Sequence, residues 1–287
     1  VHQQPHHPHP RQGLRGRPPL IPAVRRLAVA RGELDVWLLP PPDSPRDVPY
    51  DELDTHERGR ADSYRRPDDR QMYAAAHVGL RRVLAGYTGI EPSRLHLAGE
   101  RHKGNGERHG RPAVLGVPGG APQFSLSHSH GLAIVVVAEA RVGADVQRLP
   151  SSETVEVCLP ALHPSEREEL GKLPEHERAM AFGRLWTRKE AYLKGLGTGL
   201  TRGADLDYLG EAGLAERPTG WVVGNLPLCS THIAAVALAG AGDRPVAVRA
   251  VPTAYLYAPD AVARLVRMEP GLRSMLRDPA EHGDLER

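Results

Sequence analysis

One helix-forming stretch in the second half of the chain constrains the fold more than any other segment: Phe182-Gly183-Arg184-Leu185-Trp186-Thr187-Arg188-Lys189-Glu190-Ala191-Tyr192-Leu193-Lys194. Phe182, Trp186, Glu190 and Lys194 recur every four residues, so on a helix of 3.6 residues per turn they share one slowly drifting face. A buried Phe/Trp pair followed by a surface Glu190–Lys194 ion pair, worth about 0.3–0.5 kcal/mol, accounts for the spacing. It does not account for a charged pair that extends the aromatic face instead of occupying the solvent side. The pattern predicts a helix from about Pro174 to Lys194 that stops at Gly195, with Gly197 and Gly199 behind it.

The first half has a similar order of elements. Arg58 to Gly86 reads mainly as helix, with Asp68 or Asp69 in an acidic first turn and a stripe of Met72, Ala75, Ala76, Leu80, Val83 and Leu84. Leu34, Val36 and Leu38 alternate as in a short strand before a Pro-rich loop, Pro40 to Pro49. Phe124–Leu126 and Leu132–Ala138 read as strands, and a tight connection leads on to Val142–Val146 as a hairpin. After the second helix, strands are predicted at Asp205–Leu209, Trp221–Val223 and His232–Leu238. The order implies an α+β fold of two similar lobes with a ligand cleft between them. The expected organisation is a His/Pro/Arg-rich disordered tail over 1–31, an N-terminal lobe over 32–141 and a C-terminal lobe over 142–252. An extension over 253–287 carries no assigned role.

At 287 residues, 40% hydrophobic and 25% charged, the chain has enough apolar surface for one large core or two modest ones. A formal net charge of +2 makes no demand for a nucleic-acid partner. The many arginines permit an anionic ligand, because the guanidinium fork donates two parallel hydrogen bonds to a phosphate. Cys158 and Cys229 lie far apart in no metal-ligand spacing, which excludes a disulfide framework and a zinc knuckle and suits a reducing compartment. The apolar run Leu132–Ala138 is far short of the roughly 20 residues a membrane span needs, and no secretory pattern opens the chain. The expectation is a soluble cytoplasmic protein with no membrane association.

Three segments carry candidate chemistry. Gly110-Arg111-Pro112 lies in a Gly/Pro-rich loop from Gly104 to Gly120, where Arg111 is either a phosphate ligand or an ordinary exposed loop arginine. Ser125-Leu126-Ser127-His128-Ser129 ends a strand: Ser127 and His128 are short donors suited to phosphate, although a histidine there is often a structural hydrogen-bonder. In Val142-Gly143-Ala144-Asp145-Val146-Gln147, alternation sends Val142, Ala144 and Val146 to one side and Gly143, Asp145 and Gln147 to the other. A carboxylate there, with an amide oxygen two residues on, suits Mg²⁺; alternatively Asp145 begins a turn before Leu149-Pro150.

Together these segments resemble the surfactin-type (Sfp-type) 4′-phosphopantetheinyl transferases, which carry Gly-Lys-Pro, Ser-His-Ser, Gly-x-Asp-x-Glu and Trp-x-x-Lys-Glu-Ala-x-x-Lys in this order. The chain matches with Gly110-Arg111-Pro112, Ser127-His128-Ser129, Gly143-Ala144-Asp145-Val146-Gln147 and Trp186 to Lys194, over about residues 50–240. The resemblance implies two pseudo-twofold-related α+β lobes that bind coenzyme A and Mg²⁺ in the cleft. It implies transfer of phosphopantetheine to a serine of an apo acyl or peptidyl carrier protein by a monomer. Asp145 and Glu190 would ligate the metal, with Gln147 in the third position. Arg111, Pro112, Ser127, His128 and Lys194 would line the phosphate site, and Arg60 would meet the adenosine 3′-phosphate. Glu190 is the candidate general base, directly or through a water, and Lys189 supports the site. Gln147 replaces a family carboxylate and Arg111 the loop lysine. The competing readings are a non-catalytic module of the same fold that binds coenzyme A or a carrier protein, and a helical interaction protein.

Overall fold

The computed structural model describes residues 26–99, 111–228 and 231–277. Most of the expected tail, the loop segment 100–110 with Gly110, and Cys229 lie outside the described residues.

In chain order the strands are β1 (Leu34–Leu39), β2 (His96–Gly99), β3 (Pro112–Leu115), β4 (Gln123–Ser129), β5 (Leu132–Ala138), β6 (Val142–Arg148), β7 (Trp221–Leu226), β8 (His232–Ala239), β9 (Arg244–Ala250) and β10 (Leu272–Leu276). The α-helices are α1 (Thr55–Asp62), α2 (Pro67–Thr88), α3 (Ser152–Cys158), α4 (Pro164–Gly171), α5 (Glu175–Leu196), α6 (Thr253–Leu256) and α7 (Ala261–Arg267). Helices and sheets are mixed as the α+β class requires. A sheet ordered β10-β9-β1-β5-β4 and a second ordered β6-β8-β7 pack face to face, with β2 and β3 as a separate pair. Leu34, Val36, Ile134 and Val136 of the larger sheet meet Val142, Ala144, Val146 and Val236 of the smaller one. The outer face of the larger sheet buries Trp37, Leu39, Val135 and Val137 beneath Leu80, Val83 and Leu84 of α2. That of the smaller sheet buries Ala235 and Ala237 beneath Phe182, Leu185 and Ala191 of α5. Period-two alternation therefore buries β1 and β8 on both faces.

β9 pairs in parallel with β1, and β10 pairs antiparallel with β9. The segment assigned to an extension thus contributes α7 to the core and a strand to the first sheet, and β9 crosses from the second half into the sheet of the first.

Four local expectations change. The long helix expected from Arg58 is two helices, because Arg66, with φ −92° and ψ 128°, is held extended by Pro67, which starts α2. Neither long helix ends at its first glycine. Gly89 caps α2 with φ 70° and Gly197 caps α5 with φ 80°. Gly86 and Gly195 instead remain helical: a Cβ on Gly86 would lie 2.9 Å from Leu27, and one on Gly195 2.7 Å from Trp221. β4 and β5 form the hairpin, turning through His130 and Gly131 at φ 42° and 85°, while β6 pairs with β8. Asp205–Leu209 is no strand; its backbone is held by side chains, with Lys189 Nζ donating to the Ala204 and Asp207 carbonyls and Glu166 accepting from Leu209 N.

Gly143 sets how closely α5 approaches β6. A Cβ there would lie 1.9 Å from the Ala191 carbonyl oxygen and 2.3 Å from Gly195 N, both backbone atoms that no rotamer change can move. Gly143→Ala is therefore expected to destabilise the protein by about 3 kcal/mol, at the upper end of overpacking costs. The check is a guanidinium unfolding curve; a midpoint equal to wild type contradicts the close approach.

Candidate active site

Two strand edges meet at the site. β4 is the last strand of the larger sheet and β6 the first of the smaller. They are bridged by side chains: Ser125 Oγ accepts from Ala144 N (3.0 Å), Ser127 Oγ from Val146 N (3.2 Å) and Ser129 Oγ from Arg148 N (3.2 Å). The serines occupy alternate positions and so face one way, while Phe124, Leu126 and His128 face α2. This spacing is visible in the sequence, where Ser127 and His128 alone stand out as phosphate donors.

Asp145 follows Gly143 on the face of β6 that α5 covers, and it is 1% exposed. Its Oδ1 accepts from Lys194 Nζ at 2.6 Å and from Ser127 Oγ at 2.8 Å, and its Oδ2 accepts from Gln147 Nε2 at 3.2 Å. Lys194 Nζ also donates to Ser127 Oγ at 3.1 Å. The lysine thus reaches across to the strand instead of pairing with Glu190 along its helix. Ser127 gives its only proton to Asp145 and accepts from Val146 N and Lys194, which leaves it no proton for a phosphate. Its work is to position Asp145 and Lys194. Gln147 turns its amide nitrogen to Asp145, which leaves its oxygen and its second N–H for other partners.

Glu190 forms no hydrogen bond or ion pair among the described residues. Burial and the nearby charge of Asp145 push its carboxyl above the usual range, with Lys194 opposing. No group of three or more His, Cys, Asp or Glu stands ready to hold a metal among the described residues. Two carboxylates and one amide oxygen are nevertheless a donor set that fits Mg²⁺, which binds through one or two carboxylates and fills its shell with waters and phosphate oxygens. The unpaired Glu190 beside Asp145 is the charge such an ion offsets.

Beside this cluster lies a cavity of about 650 Å³, lined by Glu57, Tyr73, His77, Arg111, Pro112 and Lys194, among others. Arg111 packs on the C-cap of α5, where a Cβ on Gly197 would meet its Cγ at 2.9 Å, and its Nη1 donates to Gln123 Oε1 at 3.2 Å. A cation suits the negative end of the helix dipole. His128 faces the side of α2 with its ring edge-on to Tyr73, and lines a neighbouring hollow with Asp68 and Asp69. Arg60 is exposed on α1, 5.3 Å over the Tyr64 ring, and is not among the residues lining the cavity. Lys189 is buried against Glu166 at 2.8 Å, and burial lowers its proton affinity although Glu166 opposes this. Sequence reasoning passed over Glu57 and His77, which carry no motif and come together only when α1 docks on α2.

Residues 141–216, which include Asp145 and the whole of α5, match the family model described as the 4′-phosphopantetheinyl transferase superfamily. Similarity to individual proteins extends over more of the chain. The 4′-phosphopantetheinyl transferase HetI of Nostoc sp. (strain PCC 7120) is 30% identical over 235 residues, covering 78% of this chain and 95% of that protein. A putative 4′-phosphopantetheinyl transferase, slr0495 of Synechocystis sp. (strain PCC 6803), is 29% identical over 171 residues, 58% of this chain and 66% of that protein. The L-aminoadipate-semialdehyde dehydrogenase-phosphopantetheinyl transferase of Eremothecium gossypii is 33% identical over 159 residues, 50% of this chain and 57% of that protein. The chain belongs to the 4′-phosphopantetheinyl transferase superfamily.

The site also makes a prediction about acid stability. Burial, with His77 and Lys194 adding repulsion, pushes the His128 imidazole down from 6.5 to about 4. Because the folded value lies below the unfolded one, the unfolded chain takes up the proton first, and stability falls as pH drops from about 6.5 towards 4. A His128→Asn variant should lose less stability across that window than wild type. Urea midpoints at two pH values on either side of 6 test this; an equal acid loss in both proteins contradicts it.

Proposed function

We propose that the chain is a surfactin-type 4′-phosphopantetheinyl transferase that moves the phosphopantetheine group of coenzyme A onto a serine of an apo acyl or peptidyl carrier protein, with Mg²⁺. The observation that carries this reading is Lys194 held against buried Asp145, with the unpaired Glu190 carboxylate one helical turn away, at the edge of a cavity large enough for a nucleotide. The helical interaction protein predicts a surface Glu190–Lys194 pair instead. A non-catalytic module has no need of an unpaired, half-buried carboxylate.

In the reaction, the carrier serine Oγ forms a bond to the β-phosphorus of coenzyme A. The bond from that phosphorus to the bridging oxygen breaks, and 3′,5′-ADP leaves with the electron pair. Glu190 takes the serine proton, directly or through a water, as the carboxylate the site leaves unpaired. Lys194 and Arg111 set positive charge against the pyrophosphate, and Asp145 and Ser127 fix where the Lys194 ammonium sits. Asp145 and Glu190, with the Gln147 oxygen adjoining, would hold Mg²⁺, which would supply further positive charge for the leaving group. We take a monomer as the working unit and place it in the cytoplasm.

Intact-mass measurement of an apo carrier protein incubated with the enzyme, Mg²⁺ and coenzyme A should show a gain of one phosphopantetheine, abolished by Asp145→Ala. No gain with any carrier type, while coenzyme A still binds, would identify a binding module instead. In the same assay Gln147→Glu should lower the Mg²⁺ concentration for half-maximal rate by severalfold, because a third carboxylate then faces the ion. An unchanged Mg²⁺ requirement would remove residue 147 from the metal site.

A further inference from the structure

Two charged side chains of the second half are sealed from solvent and take no part in the chemistry of the site. Glu166, at the third position of α4, is 0% exposed, and Lys189 of α5 is 2% exposed. All three protons of the Lys189 ammonium are placed: on Glu166 Oε2 at 2.8 Å, on the Ala204 carbonyl at 2.7 Å and on the Asp207 carbonyl at 2.6 Å. Glu166 in turn accepts from His163 N at 2.9 Å through Oε2 and from Leu209 N at 2.6 Å through Oε1. One carboxylate thus ties the start of α4, the middle of α5 and the segment 204–209 to a single point. Neither residue is among those lining the cavity.

Glu190 forms no hydrogen bond or ion pair among the described residues, so the reach of its carboxylate is set by the helix beneath it. On the β6 side α5 is held by main-chain contact, Gly143 against Ala191 and Gly195, and by the Lys194–Asp145 pair at 2.6 Å. The glycine contact limits approach, but it offers no side chain to resist rolling. Lys189 lies two residues before Ala191, about 160° round the helix, and is therefore fixed from the opposite side. Arg188 adds a grip on the same segment, with Nε donating to the Leu209 carbonyl at 3.0 Å, although its carboxylate partner Glu211 is exposed. At about 5–6 Å from the helix axis, a roll of about 10° moves a side-chain end by about 1 Å. A misplacement of about 1 Å can cost about a hundredfold in rate.

We propose that Glu166 is a positioning residue of the transfer reaction: touching neither substrate nor metal, it holds Lys189 and so fixes the rotation of α5 that sets the Glu190 carboxylate beside Asp145. The proposal rests on the transferase reading and adds to it a residue outside the cavity. Charge is not the means. Glu166 neutralises the buried ammonium where it stands, and the charges that act on Glu190 are those of Asp145 and Lys194.

The test compares the full chain as wild type, Glu166→Gln, Glu166→Asp and Tyr208→Phe. Gln keeps the shape but offers one acceptor oxygen where the carboxylate has two, and Asp keeps the charge on a shorter stem. Tyr208→Phe controls for a merely structural role: it removes the hydroxyl that joins Glu169 to Gly213 N on the same stretch of chain and leaves Lys189 untouched. Each protein is assayed well below its unfolding midpoint with apo carrier protein, coenzyme A and Mg²⁺. Glu166→Gln should lower kcat about tenfold or more and leave KM for coenzyme A within about twofold. Calorimetric titration with Mg²⁺ in the presence of coenzyme A should show it binding the ion severalfold more weakly, because one carboxylate of the donor set is displaced. Glu166→Asp should fall between the two, and it decides the matter if the Gln variant does not fold. Tyr208→Phe should lose stability yet keep kcat and Mg²⁺ affinity within about twofold. A folded Glu166 variant with wild-type kcat and Mg²⁺ affinity overturns the proposal. So does an equal loss of kcat in Tyr208→Phe. A wild type without turnover would instead overturn the transferase reading.

Discussion

Three serine hydroxyls join the two sheets of this protein where no backbone ladder does, and the site is built from the middle one. Ser125, Ser127 and Ser129 cap amides on the free edge of β6. An edge strand left bare in the interior would strand its N–H groups away from water, at about 1–3 kcal/mol each. A hydroxyl that accepts from an amide still has a proton to give. At Ser127 that proton lands on Asp145, so the contact that closes the seam also orients the carboxylate the chemistry depends on.

The other half of the site is placed by backbone contact. Gly143 and Gly195 let β6 and α5 approach until main-chain atoms touch, which brings Asp145 and Lys194 to 2.6 Å. On the far side of α5, Lys189 sinks into a fully satisfied cage of Glu166 and the carbonyls of Ala204 and Asp207. A buried ion pair survives only where hydrogen bonds meet both partners, and removing one partner strands the other. The helix is thus clamped on both sides, and the rotation of Glu190 and Lys194 about its axis is fixed.

Much of this could be read from the residues. The four-residue spacing placed Glu190 and Lys194 on one face, and the period-two alternation placed Asp145 opposite the core-facing Val142, Ala144 and Val146; both survive in the structure. What failed were choices between two uses of one residue type. The sequence marks Gly86 and Gly195 as helix stops, whereas they serve close packing, and local sequence does not separate a cap from a contact whose partner is distant. Sequential strands usually pair, which joins Val142–Val146 to its neighbour in sequence, yet its partner β8 lies some ninety residues on. His77 and Glu57 carry no motif, and their meaning arises only from the docking of two helices.

The parallel pairing of β1 with β9 also governs how the chain can fold in time. The second strand of the larger sheet to gain a partner on both sides, β1, must wait for residues 244–250 before its outer edge is covered, although it is made well before them. Until then a strand carrying Trp37 and Leu39 presents an open row of amides and carbonyls. Such a link between distant parts of the sequence slows closure and lengthens the exposure of a sticky edge. Elongation speed between β1 and β9 therefore bears on yield, in a protein whose candidate chemistry is carried by residues made before β9.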